Sequence, residues 1–293
     1  MKFNLKQRLK AGVKGFLNPS PQSAKVLNVP PEPRVIISDR LLENKNVLIT
    51  GTGRNIGRSI ALEMAKQGAN IFGIERSANK TEQLESELKS YPIHFQSFTF
   101  DISRHEEMVQ FCRELESSEI DIDVLVNNVG LKIENIGLQK FNLDDWHATF
   151  NTNVLEPMFL TQAIANRMRD RQRKGSIIFI TSIHQWEISR WVSYSASKAA
   201  LRAIVKELAL DLAPHDIRVN GIAPGWIAEN EDGTPLPHPY TVLDRHSIPP
   251  RYIGRAAVYL AADYFSQFTT GTILKIDAGL SLYNHRVREH PPH

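Results

Sequence analysis

Short apolar runs alternate with longer segments of helical periodicity from residue 45 onward. An apolar run of four to eight residues between turn residues is typical of a buried strand, whereas apolar positions three or four apart indicate a helix with one buried face. The predicted strands cover 46–50, 70–74, 93–100, 123–126, 176–181, 218–222 and 273–276. The predicted helices cover 56–67, 80–89, 104–117, 144–169, 194–212 and 251–263. This alternation predicts an α/β fold, a doubly wound parallel sheet of the Rossmann type with helices on both faces.

The first 45 residues do not follow this alternation. Residues 2–17 have the spacing of a rough amphipathic helix and are followed by proline-rich stretches. Residues 1–45 contain nine Lys and Arg against three Asp and Glu, while the whole chain carries a net charge of +3. The pattern predicts a basic N-terminal extension, 1–45, ahead of a catalytic domain, 46–293. We expect the extension to pack on its own domain or on a neighbouring subunit, with membrane-surface contact or organelle targeting as the alternative.

A second irregular segment, 226–250, contains five prolines among charged and polar residues. Loops of this length inside compact domains usually carry function. We therefore predict a substrate loop at 226–250 within a single domain.

Composition excludes several classes of protein. Cys112 is the single cysteine, so no internal disulfide can form, and an unpaired cysteine in a helix usually packs as a small apolar group. No run of about eighteen apolar residues exists, and no secretory signal begins the chain, so we expect no membrane partner and a cytoplasmic location. The basic surplus lacks interleaved aromatic residues, which argues against a nucleic-acid partner. The histidines near the end, such as His290, have no ligand-like neighbours, and no metal site is expected.

A glycine-containing turn, TGTGRNIGR at 50–58, directly follows the first predicted strand. Glycines at a strand-to-helix turn let the backbone approach a pyrophosphate, which then lies at the helix N-terminus among free N–H groups. Asn55 stands at a position where a left-handed backbone is expected, which Asn tolerates better than most residues. The predicted phosphate-binding residues are Gly51, Arg54, Asn55, Ile56 and Gly57.

The cofactor preference depends on Glu75 and Arg76, at the end of the second strand. A carboxylate there accepts hydrogen bonds from the adenosine ribose hydroxyls and repels a 2′-phosphate, whereas an arginine attracts that phosphate. Arg54 could also reach such a phosphate. We favour NAD, because Glu75 is nearest the ribose, with NADP as the alternative.

The candidate catalytic residues are Ser182, Tyr194 and Lys198. Tyr194 and Lys198 are four apart at the start of a predicted helix and so lie on one face. A tyrosine with an ordinary pKa near 10 is a poor base at neutral pH, but a neighbouring ammonium and an oxidised nicotinamide ring stabilise its phenolate. Ser182, at the end of the preceding strand, can hydrogen-bond the reacting oxygen.

From 41 to 282 the chain resembles a complete short-chain dehydrogenase/reductase, on the glycine turn, Asn127-Asn128-Val129-Gly130, the Ser182, Tyr194 and Lys198 set, and 218–225. The resemblance implies an NAD(P)-dependent oxidoreductase that acts on a secondary alcohol or ketone and assembles as a homo-oligomer, usually a tetramer. It assigns Asn153 as a fourth catalytic residue that orders a water near the lysine. Further cofactor contacts implied by it are Asp101, Ile102, Asn128, Val129, Gly130, Tyr194, Lys198, Pro224, Gly225 and Ile227. One departure is Ala228-Glu229, where the family commonly has a Thr that holds the carboxamide of the cofactor.

The predicted substrate-binding residues are His184, Trp186 and Trp226, close to Ser182 and the 226–250 loop. Polar groups beside aromatic rings suit a small polyhydroxylated substrate, and Ser182-Ile183-His184 resembles the matching stretch of glucose dehydrogenases in the family. The alternatives are a 3-oxoacyl-thioester reductase, a steroid or terpenoid dehydrogenase, and a non-catalytic dinucleotide-binding scaffold, since a fold does not guarantee an activity.

Overall fold

A computed structural model describes residues 40–133 and 137–282. Its seven strands form one parallel sheet in the order β3-β2-β1-β4-β5-β6-β7. The strands are β1 (Asn46–Thr50), β2 (Asn70–Glu75), β3 (Phe95–Thr99), β4 (Val124–Asn127), β5 (Gly175–Ile180), β6 (Ile217–Pro224) and β7 (Ile273–Ile276). The predicted doubly wound α/β fold is confirmed.

Helices cover both faces of this sheet. They are α1 (Asn55–Lys66), α2 (Ala78–Leu88), α3 (His105–Glu116), α4 (Leu143–Phe150), α5 (Glu156–Asp170), α6 (Val192–Leu212), α7 (Arg251–Ala261) and α8 (Asp263–Ser266). Successive strand residues point to opposite faces, so Val47 and Ile49 join one apolar core with Ile60 of α1, while Leu48 joins the other with Leu160 of α5. The near-continuous apolar strands are thus explained by burial on both faces.

The predicted helix at 144–169 is correct in extent but not uniform. Between α4 and α5 the chain makes a wider π-helical turn, Asn151–Leu155. Such turns often occur at functional sites, and this one contains Asn153. The final predicted helix, 251–263, ends at Ala261, and the short α8 follows it.

Most of the predicted N-terminal extension lies outside the described residues. The compact unit of the chain starts at residue 39, seven residues before the predicted start of the domain at residue 46. Leu42 is only 1% exposed and belongs to the core, and its N–H donates to the carbonyl of Gln67. Residues 40–45 are therefore part of the domain's packing.

The segment 226–250 is a loop with its own internal hydrogen bonds. Ile227 pairs with Ile248, and Pro237 pairs with His246, as isolated β-bridges. The Ser247 hydroxyl donates to the carbonyl of Ala228 and accepts from the N–H of Leu236. The loop is thus folded on itself through contacts between its two ends.

Cys112 is half-buried in α3, and burial, with nearby Glu156 and Glu116, raises the pKa of its thiol to about 11. A thiol with so high a pKa is a poor nucleophile, in keeping with a packing role. None of the described helices combines the length and the apolar character that a membrane crossing requires.

Candidate active site

The strand order reverses between β1 and β4, whose carboxyl ends open into one cleft. Ligands of open α/β sheets bind at such a switch point. The cleft has a volume of about 800 Å³ and extends from the glycine turn to Thr152 in the π-helical turn. Most of the predicted cofactor contacts line it, namely Gly51, Arg54, Asn55, Ile56, Gly57, Glu75, Arg76, Asp101, Ile102, Asn128, Val129 and Gly130.

The backbone of the glycine turn leaves no room for a residue larger than glycine at Gly51 and Gly57. Gly51 has φ +73°, and a Cβ at Gly57 would lie 1.9 Å from the carbonyl oxygen of Gly51. Asn55 has φ 46°, the left-handed conformation expected for it. Free backbone N–H groups at the start of α1 therefore face the cleft, as a pyrophosphate requires. The cradle fits the phosphates of a dinucleotide.

Thr50 links the end of β1 to the residues that follow β4, a role that the sequence reasoning missed. Its hydroxyl oxygen accepts from the N–H of Asn128 at 2.9 Å and from that of Val129 at 3.1 Å. The Asn128 side chain donates back to the carbonyls of Thr50 and Gly51, at 2.9 and 3.1 Å. Asn128 therefore positions the turn itself.

Glu75 lies at the end of β2, 9% exposed. One carboxylate oxygen accepts from the N–H of Gly53 at 2.7 Å, and the other accepts from the N–H of Arg76 at 3.0 Å. The Arg76 side chain is 74% exposed and lies 3.9 Å from a carboxylate oxygen of Asp101. Arg54 is exposed as well. The carboxylate is thus fixed in the cleft, whereas both arginines lie at its surface.

Asp101 and Ile102 line the outer end of the cleft. Although partial burial raises the pKa of Asp101, hydrogen bonds from the Ser103 N–H and hydroxyl, with nearby Arg76 and Arg104, hold it below its usual value. Asp101 is therefore ionised and can accept from a donor such as an adenine amino group. Ile102 is 5% exposed.

Ser182, Tyr194 and Lys198 meet at the end of β5. The Ser182 hydroxyl lies close enough to the Tyr194 side chain to lower its pKa, and the Ser182 oxygen accepts from the N–H of His184 at 3.2 Å. Lys198 Nζ lies 5.6 Å from the centre of the Tyr194 ring and donates to the carbonyl of Ile180 at 3.0 Å. The structure brings together the three side chains predicted from the sequence.

The pKa values of this group are set mainly by burial. Burial raises the pKa of Tyr194, and the Ser182 hydrogen bond acts in the opposite direction. Burial lowers the pKa of Lys198 to about 8. Both shifts favour the neutral forms, so added positive charge in the cleft is needed to make Tyr194 an effective base.

Asn153, in the π-helical turn, connects this group to the end of β4. Its side-chain N–H₂ donates to the carbonyl of Leu131 at 2.9 Å and to the hydroxyl of Ser197 at 2.9 Å, and its oxygen accepts from the N–H of Leu131 at 2.6 Å. The Asn153 side chain therefore positions the backbone after Gly130 beside α6. Ser197, which the sequence reasoning also missed, is marked only by its place in the Tyr194–Lys198 segment.

Pro224, Gly225 and Ile227 lie at the end of β6 and the start of the loop. The Gly225 N–H donates to the carbonyl of Ile276, and a Cβ there would lie 2.7 Å from the Cα of Asp277. At the departure from the family pattern, the Ala228 carbonyl is bonded to Ser247, and Glu229 lies 3.8 Å from Arg251.

The predicted substrate residues lie in two aromatic groups. His184 makes edge contacts with Trp191, at 5.2 Å, and with the Tyr194 ring, at 5.7 Å. Trp226 packs on His238 of the loop at 4.4 Å. Trp186 is 41% exposed and faces Arg202 of α6. Of the predicted residues, His184 is thus the one in ring contact with Tyr194.

Comparison with known proteins agrees with this geometry. Residues 45–233 match the family model described as short chain dehydrogenase. A gluconate 5-dehydrogenase from Gluconobacter oxydans is 29% identical over 251 residues, which cover 82% of this chain and 96% of that protein. A 3-oxoacyl-(acyl-carrier-protein) reductase from Thermotoga maritima is 30% identical, with 82% and 98% covered.

The chain also resembles a dehydrogenase of known structure. A gluconate 5-dehydrogenase from Burkholderia cenocepacia in complex with NADP and tartrate is 29% identical, with a TM-score of 0.73, and covers 83% of this chain and 98% of its own. The resemblance inferred from the motifs is confirmed. The chain belongs to the short-chain dehydrogenase family and is an NAD(P)-dependent oxidoreductase.

Proposed function

We propose that Tyr194 is the acid/base that moves the hydroxyl proton while a hydride passes between a substrate carbon and the nicotinamide of NAD(P). The observation that carries this assignment is the position of the buried Tyr194 side chain, which has the Ser182 hydroxyl close enough to lower its pKa and the buried ammonium of Lys198 5.6 Å from its ring centre. The Ser182 oxygen accepts from the N–H of His184, and its own O–H can donate to Tyr194 or, with substrate bound, to the reacting oxygen.

Lys198 acts on Tyr194 through its charge and also contacts the cofactor ribose in this proposal. Its Nζ faces Gly130, where a Cβ would lie 3.2 Å from it, so the glycine leaves the space in front of the ammonium open. The positive ring of the oxidised cofactor adds to the same field and favours the phenolate. Asn153 supports the proton relay by fixing the backbone on which this space depends.

The geometry of Glu75 supports NAD as the preferred cofactor. Two backbone N–H groups hold its carboxylate in the cleft, so a 2′-phosphate would meet a negative charge that cannot turn away. Arg54 and Arg76 favour NADP only if they turn inward from the surface. The NADP in the Burkholderia relative is the reason to measure both cofactors.

A small polar, polyhydroxylated alcohol or ketone is the proposed substrate class. His184 contacts the Tyr194 ring, and Trp226 packs on His238 in the loop, so each of the two groups combines a polar side chain with an aromatic ring. The name of the Gluconobacter relative points to a sugar acid. The Thermotoga relative keeps a 3-oxoacyl thioester as the second candidate. The filled catalytic positions argue against a non-catalytic scaffold, and the polar loop argues against a steroid or terpenoid substrate.

A homotetramer is the proposed assembly. Large apolar side chains are exposed on the α7–α8 surface, among them Phe268 at 96% and Phe265 at 46%. Exposed apolar patches of this kind mark protein contacts. The cytoplasmic location stays a prediction.

The test of the function is a fluorescence titration with NADH and NADPH, followed by turnover assays. The panel contains sugars, polyols, sugar acids and 3-oxoacyl thioesters. We expect binding of a reduced cofactor and turnover of a polyhydroxylated compound. Turnover of 3-oxoacyl thioesters alone would show that the proposed polyhydroxylated substrate is wrong. Cofactor binding without any turnover would support the interpretation of the protein as a non-catalytic scaffold.

A further inference from the structure

Lys132 lines the cleft beside Gly130 and Leu131 and has no role in the proposed hydride and proton transfer. It follows Leu131, whose N–H and carbonyl are both hydrogen-bonded to the side chain of Asn153. The same cleft that holds the glycine turn is lined by Lys132. Its backbone is therefore fixed beside the catalytic residues.

The ammonium of Lys132 is linked to Tyr194 through two aromatic side chains. Its Nζ lies 4.0 Å from the centre of the Trp191 ring. Trp191 contacts His184 edge to face, and His184 contacts Tyr194 in the same way, with ring centres 5.2 and 5.7 Å apart. Trp191 thus holds the charge of Lys132 next to the substrate site.

The group formed by Lys132, Trp191 and His184 combines a positive charge with hydrogen-bonding atoms that have no partner. Across residues 40–133 and 137–282, no carboxylate forms an ion pair with Lys132, and His184 Nδ1 and Trp191 Nε1 are buried without a hydrogen-bond partner. Glu229 lies against Arg251, and Glu75 lies at the adenosine end of the cleft. Burial and the charge of Lys132 lower the pKa of His184, so its ring is neutral at neutral pH and has one donor and one acceptor nitrogen.

We infer that the substrate is an acid, a polyhydroxylated carboxylate, and that Lys132 binds its carboxylate while His184 and Trp191 bind its hydroxyl groups. This inference rests on the proposed function, whose substrate class it narrows. Among the described residues no carboxylate pairs with the ammonium of Lys132, and the carboxylate of an acidic substrate would supply the counterion that a neutral polyol lacks. Lys132 is here a specificity residue and takes no part in proton or hydride transfer.

The test compares matched acids and neutral polyols, which have the same carbon chain. Calorimetry with the enzyme–NADH complex measures binding of gluconate and galactonate against sorbitol and galactitol, independently of turnover. We expect the acids to bind at least about tenfold more tightly than the polyols, and Lys132→Gln to remove most of that difference. Lys132→Arg should retain the preference for acids. The affinity for NADH should be unchanged in both variants.

The inference is overturned if the polyols bind as tightly as the acids, if neither class binds, or if Lys132→Gln leaves the preference unchanged. A loss of NADH affinity in Lys132→Gln would instead assign Lys132 to the cofactor, and would also overturn it. If the acids bind as expected and no acid is oxidised, the proposed function fails while the binding assignment stands.

Discussion

The carboxylate of Glu75 accepts a 2.7 Å hydrogen bond from the backbone N–H of Gly53 and thereby ties the end of β2 to the glycine turn. A Cβ at Gly53 would lie 2.6 Å from that carboxylate oxygen, so the contact requires the glycine. The residue proposed to select the cofactor is thus held by the turn proposed to bind the phosphates. We therefore expect a substitution of Glu75 to alter the preference between NAD and NADP more than any other property.

Glu75→Gln removes the charge and keeps an acceptor for Gly53, so the turn should persist while repulsion of a 2′-phosphate is lost. We expect weaker NAD(H) binding and severalfold tighter NADP(H) binding, because a fixed charge facing a phosphate acts as a specificity device. Fluorescence titration of both reduced cofactors measures the change. Glu82→Gln, at an exposed position of α2, is the control. A wild-type enzyme that already prefers NADPH tenfold would contradict the assignment.

Tyr194→Phe keeps the aromatic ring and removes the hydroxyl proton whose transfer Ser182 and Lys198 are proposed to assist. Turnover should fall about 10²-fold or more, with cofactor affinity nearly intact, since general acid–base catalysis contributes on that scale. Steady-state rates on the best substrate measure the loss. Tyr259→Phe on α7 is the matched control, because that ring packs on Phe265 away from the site. A wild-type rate in Tyr194→Phe would refute the proposed mechanism.

The rate of ketone reduction should depend on pH through Lys198. Its pKa of about 8 lies below its ordinary value because the ammonium is buried, so the ammonium is present below about pH 8 and is lost as pH rises through it. Burial raises the pKa of Tyr194, which therefore stays protonated in this range. We expect kcat/KM for reduction to be constant at low pH and to fall above about pH 8.

A pH series of kcat/KM with saturating reduced cofactor tests this dependence. Lys206→Gln, which changes an exposed lysine of α6, should keep the wild-type profile. Lys198→Met should lower the rate throughout and remove the fall. A wild-type profile that stays flat through pH 9 would show that the ammonium does not control the step.

The strands and helices that flank the cleft were predictable because burial imposes a periodic pattern on them. Strand β1 matches its prediction at both ends, and the candidate catalytic group was predicted from the four-residue spacing of Tyr194 and Lys198 together with Ser182 at the end of the preceding strand. These features depend on neighbours in the sequence.

Features that depend on residues far apart in the sequence could not be predicted. The π-helical turn interrupts a pattern that is helical on both sides, and the contact of Asn153 with Leu131 spans twenty-two positions. The significance of Lys132 could not be predicted, because nothing in the sequence distinguishes it from other exposed lysines in loops. Its significance comes from Trp191, fifty-nine residues later, which lies under its charge only after folding.

Glu156 is a buried carboxylate at the start of α5, 2% exposed, and its side chain is bonded to His105 Nδ1 at 3.1 Å. His105→Ala should leave this oxygen without its partner and lower the free energy of unfolding by about 1–2 kcal/mol, a modest loss because the imidazole is more than half exposed. Thermal and urea denaturation measure it. The double variant with Glu156→Gln should recover part of the stability, and His147→Ala, at an exposed position of α4, is the control. Equal stability of His105→Ala and wild type would show that the pair contributes nothing.

Deletion of residues 1–38 tests the role predicted for the basic extension. The compact unit starts at residue 39, and Leu42 and its hydrogen bond to Gln67 remain, so the truncated chain should fold and bind cofactor. The extension has an excess of positive charge and an amphipathic stretch too short to be stable alone in water, whereas the rest of the chain has a small net negative charge. If the extension packs on the domain or on a neighbouring subunit, its apolar residues become buried and its positive charge lies near the negative charge of the rest of the chain. We therefore expect the deletion to lower the melting temperature or to shift the oligomer toward smaller species, as measured by light scattering after gel filtration and by a melting scan. Unchanged mass and melting temperature would mean that the extension serves a separate partner or a membrane surface.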